Sequence, residues 1–132
     1  STSAVYGVKS RNDRDFCIAL LSNRIAYWYW TTIGDGFHFS RSFLTDYHIG
    51  KKSFSEKQYK KIAELGTQYC ERIKEFPTVS YNAGKTIVNY SHWEVMDIIE
   101  QIEYFLAEGL CLSSDFCKNI SGWYENQVQC YR

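Results

Sequence analysis

Residues 78–90, TVSYNAGKTIVNY, decide the fold class, because they are the clearest β-forming segment of the chain. Positions 78–81 and 86–90 are rich in β-branched and aromatic residues, which favour extended backbone. Between them lies Asn-Ala-Gly-Lys at 82–85, and Asn and Gly tolerate the positive φ angles of a tight turn. The segment therefore predicts a short β-hairpin.

A helix is predicted before the hairpin. Apolar residues recur mostly three or four positions apart over residues 56–76, which indicates one buried stripe. Ser53 or Ser55 is the candidate N-cap, and Pro77 is the stop signal. Gly66 is an unfavourable residue in the middle of this helix.

Two further helices are predicted after the hairpin. Apolar residues from Trp93 to Leu106 mark the first, over residues 92–110. Ser113 or Ser114 then caps the last helix.

The N-terminal third predicts a short strand at residues 4–8 and one long central helix at residues 16–32, with Asn12 or Asp13 as its N-cap. Gly-Asp-Gly at 34–36 ends that helix. The expected fold is α+β, a helix-dominated single domain with a short β-hairpin.

Size and composition indicate one globular domain covering residues 1–132, with 45% hydrophobic and 23% charged residues. No apolar run approaches the roughly 20 residues of a membrane span, and no signal peptide is visible, so we expect a cytoplasmic protein. The chain starts Ser-Thr-Ser-Ala without Met, and we expect it to be a fragment of a larger protein. The five cysteines are odd in number and lack a close paired spacing, so we expect them to be buried, reduced thiols.

Charge is unevenly distributed along the chain. Residues 1–90 hold thirteen Lys or Arg against eight Asp or Glu, whereas residues 91–132 hold two against seven. The formal net charge of zero argues against a free-standing nonspecific nucleic-acid binder, but a basic first part can supply one positive face.

Catalytic motifs are missing from the sequence. It contains no glycine-rich phosphate loop and no nucleophile elbow, and the pair Glu100 and Glu103 is expected on a solvated helix face. A metal site built from Asp35, His38 and Asp46, serving a small hydrolase, is a minor alternative. We expect this chain not to be an enzyme and to hold no metal.

Two segments carry a family resemblance. Residues 20–30, LLSNRIAYWYW, followed by GDGFH at 34–38, resemble the late target-recognition region of bacterial adenine-specific DNA methyltransferases, including those fused to nucleases. Residues 81–85, YNAGK, with Asn-Tyr at 89–90, resemble a signature near the end of the same restriction-modification methylases. Val88 stands where the family has glycine, so the local turn is expected to differ.

The resemblance implies a DNA-binding target-recognition lobe that works beside the catalytic domain of the same parent chain. The family's Asn-Pro-Pro-Tyr catalytic motif cannot be present, because Pro77 is the single proline. The resemblance implies that the parent protein uses S-adenosylmethionine. Because this fragment lacks the catalytic motif, we expect it to bind no cofactor. Its expected partner is double-stranded DNA.

Candidate DNA contacts follow from residue type. Asn82 and Asn89 are candidates for adenine edges, with turn formation as the alternative. Lys85 and Asn89 are expected on the same exposed face as Lys51. The candidate phosphate contacts, whose alternative is a solvated helix face, are Arg41, Lys51, Lys52, Lys60, Lys61 and Lys85.

Four consecutive aromatic residues stand at Tyr27-Trp28-Tyr29-Trp30. Their side chains can stack on DNA bases, or they can pack in the core or against a neighbouring domain. Core or domain packing is the favoured interpretation, because four neighbouring residues cannot share one helix face. The competing function is a protein-interaction or scaffolding domain, docking a catalytic domain or partner subunit through an apolar patch around Trp123 and Tyr124.

Overall fold

The computed structural model describes residues 6–34, 38, 43, 47 and 49–129. Within these residues, five α-helices and one two-stranded antiparallel sheet form a helix-dominated α+β fold, which confirms the expected class. The elements are α1 (Arg11–Leu21), α2 (Arg24–Ile33), α3 (Glu56–Ile73), β1 (Pro77–Asn82), β2 (Lys85–Tyr90), α4 (Met96–Gly109) and α5 (Ser114–Gln129), with 3-10 turns at Lys51–Ser53 and His92–Val95.

The single long helix predicted for residues 16–32 is wrong, because the chain breaks at Asn23 into α1 and α2. The Asn23 side-chain oxygen accepts a hydrogen bond from the Ala26 amide at 2.9 Å, capping α2. Its amide nitrogen donates to the carbonyl oxygens of Ala19 and Leu20 at 2.8 and 2.9 Å, closing α1. One buried amide therefore satisfies backbone groups of both helix ends.

The start of α1 also differs from the expectation. Ser10 is the N-cap, with its hydroxyl accepting from the Asp13 amide at 3.1 Å, so neither Asn12 nor Asp13 has that role. Residues 6–8 are not in a strand. Asp15, which lies two residues after Asp13 in α1, is buried.

Helices α1 and α3 pack closely, and Gly66 permits this approach. A Cβ at Gly66 would overlap the carbonyl oxygen of Asp15, so the glycine that is unfavourable for helix propensity is required by packing. Thr67 donates its hydroxyl to the Asp15 carboxylate at 2.6 Å, and Arg14 donates to the same carboxylate at 2.8 Å.

Helix α4 supplies the centre of the core with Ile98, Ile102 and Leu106, all essentially inaccessible to solvent. Glu103, on the same helix, is not on a solvated face as predicted. Its carboxylate accepts three hydrogen bonds from the guanidinium of Arg24 and one from the Arg24 amide, at 2.6–3.1 Å. This part-buried ion pair joins α2 to α4, and the hydrogen bonds to Glu103 raise the pKa of Arg24.

Hydrogen bonds identify the N-cap residues of α3 and α5. Ser55, not Ser53, begins α3 with a capping box, in which Ser55 and Gln58 each bond the other's backbone amide. The helix ends at Ile73, four residues before Pro77 opens β1. The hydroxyl of Ser113 accepts from the Phe116 amide at 3.1 Å at the start of α5.

The aromatic run in the middle of α2 is half-buried and packs against the rest of the fold, as the favoured interpretation predicts. Tyr27 contacts Trp123 and Tyr124, with ring centroids 5.8 and 5.5 Å apart. Trp28 packs on Phe116 at 5.5 Å. These contacts join α2 to α5.

The four described cysteines are free thiols, but none of them is buried as expected. Cys17 and Cys111 are exposed, and Cys70 and Cys117 are half-buried. Within the described residues, none of the helices has the length and apolar character to cross a bilayer.

Candidate nucleic-acid interface

The β-hairpin projects from the helical body. All twelve residues of its two strands are exposed, although the strands pair in full register from Pro77 opposite Tyr90 to Asn82 opposite Lys85. Ala83 and Gly84 have φ angles of 48° and 76°, as the two central residues of a type I′ turn require. A ribbon with this exposure is free to enter a groove or to contact a partner.

The three predicted hairpin contacts lie together on one face of the ribbon. Residues directly opposite each other in an antiparallel pair point to the same side, and side chains alternate along each strand. Asn82 is opposite Lys85, and Asn89 is opposite Thr78, which shares the face of Asn82. Asn82, Lys85 and Asn89 therefore share one face with Thr78, Ser80 and Ile87, and we call this the polar face.

The other face of the ribbon is apolar. Val79 pairs with Val88, and these two side chains remain 55% and 51% exposed. Tyr81 and Tyr90 flank them along the same face. We call Val79, Tyr81, Val88 and Tyr90 the apolar face.

Lys51 and Lys52 lie in the 3-10 turn that precedes α3. The ammonium of Lys51 is 4.2 Å from the centroid of the Tyr59 ring, a cation–π contact. The Tyr59 hydroxyl donates to Asp13 at 2.5 Å, and this hydrogen bond lowers the pKa of Asp13. Both lysines are exposed, so they remain accessible to phosphate.

The lysines of α3 are paired within their own helix. The Lys60 ammonium is 3.9 Å from Glu56, and the Lys61 ammonium is 3.6 Å from Glu64. Such exposed pairs contribute only about 0–1 kcal/mol, so a phosphate can displace the glutamate at small cost. The arrangement also fits the solvated-face alternative.

The candidate contacts belong to two parts of the chain. Lys51 lies in the 3-10 turn before α3 and contacts Tyr59 in its first turn, whereas the hairpin follows the C-terminal end of α3. An 18-residue helix is about 27 Å long, so α3 lies between the turn that holds Lys51 and the first residue of the hairpin along the chain. The expectation that Lys85 and Asn89 lie on the same exposed face as Lys51 stays a prediction, and Arg41 lies outside the described residues.

The structure adds two cations, Lys9 and Arg11, that sequence reasoning missed. Lys9 and Lys51 both act on Asp13, lowering its pKa after the larger effect of the Tyr59 hydrogen bond. Lys9 and Arg11 are exposed at the start of α1. They extend the basic surface around Lys51 and Lys52, and the sequence signal was the run Lys9-Ser10-Arg11 just before the helix.

A cavity of about 370 Å³ opens at the foot of the hairpin. Rings from three helices, one strand and one 3-10 turn line it, namely those of Tyr27, Tyr69, Tyr90, His92 and Tyr124. The hydroxyl of Tyr124 lies 2.6 Å from Nε2 of His92, and burial raises the pKa of Tyr124 to about 12. No sequence pattern indicated this cavity, because its walls come from distant positions.

Alternative sites gain no support within the described residues. Asp35 and Asp46 lie outside them, His38 is exposed, and the rest of the described chain holds no cluster of three potential metal ligands. The apolar patch proposed around Trp123 and Tyr124 is largely covered, because Tyr27 packs on both rings and Tyr124 is buried.

Comparison with known proteins returned no matching family model, no matching curated protein and no matching solved structure.

Proposed function

We propose that this chain is a DNA-binding target-recognition lobe of a bacterial restriction-modification DNA methyltransferase, acting beside a catalytic domain of the same parent chain. The observation that carries the proposal is the exposed ribbon, whose polar face groups Asn82, Lys85 and Asn89. In this proposal the lobe is not catalytic and binds no cofactor itself. S-adenosylmethionine and methyl transfer to adenine belong to the parent protein.

The shape of the ribbon supports a groove contact. The major groove of B-DNA admits a two-stranded β-ribbon, and Asn pairs with the N6 and N7 edge of adenine. Asn82 and Asn89 are exposed and separated along the polar face, so each side chain can address its own base pair. Lys85, at the turn, is placed to contact a phosphate at the groove edge.

The second basic group supports a contact further along the duplex. Lys51, Lys52, Lys9 and Arg11 are exposed, and both Lys51 and Lys9 act on Asp13, so these cations form a basic group of their own. Phosphate contacts from such a group fix the register of a protein on DNA while the ribbon reads bases.

The resemblance supports the same surface. Of its two segments, residues 20–30 form the junction of α1 and α2 and pack largely inside, whereas residues 81–90 form the exposed hairpin. The hairpin is thus the part of the resembling sequence that a DNA duplex can reach.

The test compares two triple variants of the same hairpin in binding to short duplexes containing the parent's target site, measured by fluorescence anisotropy. N82A/K85A/N89A removes the polar face, and V79T/Y81T/V88T changes the opposite face with similar exposure. We expect the polar-face variant to lose about ten-fold or more in affinity and the control to stay within about three-fold. Equal losses, or no binding by the wild type at low salt, would leave protein docking as the better account.

A further inference from the structure

The apolar face of the ribbon holds four of the nine large hydrophobic side chains that are exposed in the described part of the chain. Tyr81 is 81% exposed, and Tyr90 is still 48% exposed although it also lines the cavity at the foot of the hairpin. A contiguous apolar patch on a folded protein marks an interaction surface, whereas scattered single side chains do not. The proposed DNA contact uses the opposite face, so the apolar face needs another occupant.

The ribbon itself would be stabilised by cover on this face. Two paired strands alone are marginally stable in water, and they become stable when an apolar face packs against a further layer. All twelve strand residues are exposed, so the rest of the described chain supplies little of that layer. We therefore expect the occupant to bury the pair Val79 and Val88 at the centre of the face.

The absence of charge suits this face to a copy of itself. Pro77 and Thr86, which complete this side of the ribbon, are uncharged like the four residues that define the face. A two-fold contact brings the same patch of both copies together, so a charged patch would repel itself and this one does not. The formal net charge of the chain is zero, and two copies therefore approach without overall repulsion.

The area of the face is sufficient for a weak dimer. From their exposed fractions, the four side chains present roughly 500 Å² of surface, given that a large aromatic side chain buries about 150–250 Å². Two copies would together bury about 1,000 Å², which is at the lower end of specific protein–protein interfaces. An interface of this size is typical of reversible association that dilution dissolves.

We propose that two copies of this chain associate through the apolar face of the ribbon, packed face to face around a two-fold axis. The pair Val79 and Val88 lies at the centre of the interface. The polar face points away from it, so self-association leaves the proposed DNA contact unobstructed. The inference goes beyond the proposed function and does not depend on DNA binding.

A charged contact between two copies is the rival arrangement. A groove of about 660 Å³ between α4 and α5 is lined by Glu100, Glu103 and Glu108, and it is opposite in sign to the basic surface around Lys51 and Lys52. Salt distinguishes the two arrangements. Screening weakens a contact between exposed charges, whereas it does not weaken the burial of apolar surface.

The experiment is sedimentation equilibrium of the full 132-residue chain at low and high NaCl concentration. We expect the weight-average mass to be close to that of one chain at about 5 µM and to be at least about 1.5-fold higher at about 500 µM, as weak association predicts. The rise should be the same in both salts. A single-chain mass at the higher concentration would overturn the proposal and assign the face to a different protein. A rise that high salt abolishes would overturn it in favour of the charged contact.

Two matched variants locate the contact. Val79→Lys puts a charge at the centre of the apolar face and should keep the chain near the single-chain mass at the higher concentration, because an unpaired ammonium would be buried. Ile87→Lys replaces another exposed β-branched residue with the same charge on the polar face, and should associate like the wild type. Association that survives Val79→Lys, or that both variants lose equally, would overturn the proposal.

Hydrogen exchange of the strand amides at the lower concentration checks that each variant keeps the ribbon. If Val79→Lys loosens the ribbon, Tyr81→Lys gives the same test at a side chain that is more exposed and supports the ribbon less. Tyr81→Lys should also keep the chain near the single-chain mass. Wild-type association by this variant, with the ribbon intact, would contradict a face-to-face dimer.

Discussion

Gly66 of α3 lies directly against the backbone carbonyl of Asp15 in α1, with no room for a Cβ between them. We expect Gly66→Ala to lower the free energy of unfolding by about 2 kcal/mol, because the two helices must move apart. Helix propensity alone predicts the opposite sign, since Ala is favoured over Gly by about 1 kcal/mol.

Gly122 of α5 is the matched control, because a Cβ there meets nothing within 4 Å. Gly122→Ala should raise stability by up to about 1 kcal/mol through helix propensity. Urea denaturation of both variants checks the pair. A stabilised Gly66→Ala variant would show that α1 and α3 are not packed as closely as described.

The ion pair between Arg24 and Glu103 is expected to stabilise the junction of α2 and α4. Glu103→Gln leaves the buried guanidinium without its charged partner and should cost about 2–4 kcal/mol. Glu100→Gln, on the same helix, removes a carboxylate that is 61% exposed and 3.9 Å from Arg24, and should cost less than about 0.5 kcal/mol. Thermal unfolding that gives equal costs would contradict the assigned partner.

Asp15 is expected to make the protein sensitive to acid. Burial by itself raises the pKa of Asp15, but hydrogen bonds from Thr67 and Arg14 outweigh burial and leave this pKa below its ordinary value. A depressed folded pKa contributes stability that is present above the unfolded pKa of about 3.9 and is lost as pH falls below it. Asp15→Asn should therefore flatten the fall in stability below about pH 4, as measured by urea unfolding across pH. An unchanged slope would exclude Asp15 as a source of acid sensitivity.

The hairpin turn carries local strain at Ala83, whose φ of 48° disfavours a residue with a Cβ. Asn tolerates this region better, so Ala83→Asn should stabilise the ribbon by about 0.5–1 kcal/mol. Hydrogen exchange of the strand amides measures the effect locally, which matters because the ribbon packs on little else. Ala83→Val is the opposite control and should accelerate exchange. Slower exchange in the Val variant would rule out the type I′ turn.

Local signals predicted much of the fold. The hairpin and the helices around it follow from β-branched runs, apolar periodicity and capping residues, and Ser55 and Pro77 act close to where the sequence places them. The break at Asn23 was missed because apolar residues continue through it. The capping bonds of Asn23 outweigh that periodicity, and periodicity does not report them.

The candidate site was only partly predictable. Residue type suggested Asn82, Lys85 and Asn89, and the strand register then places them on one face. The contact between Lys51 and the ring of Tyr59 depends on packing that no local pattern reveals. The cavity was unpredictable for the same reason, since Tyr27, Tyr90 and Tyr124 meet only through tertiary packing.

The most direct test of DNA binding is the salt dependence of affinity for a duplex of about 20 base pairs. Each phosphate contact contributes about 0.9 to the slope of log affinity against log salt. We expect Lys85→Ala to reduce the slope by about 1 and K51A/K52A to reduce it by about 2, while Lys118→Ala on acidic α5 leaves it unchanged. Identical slopes for all four proteins, or no binding at low salt, would contradict the account.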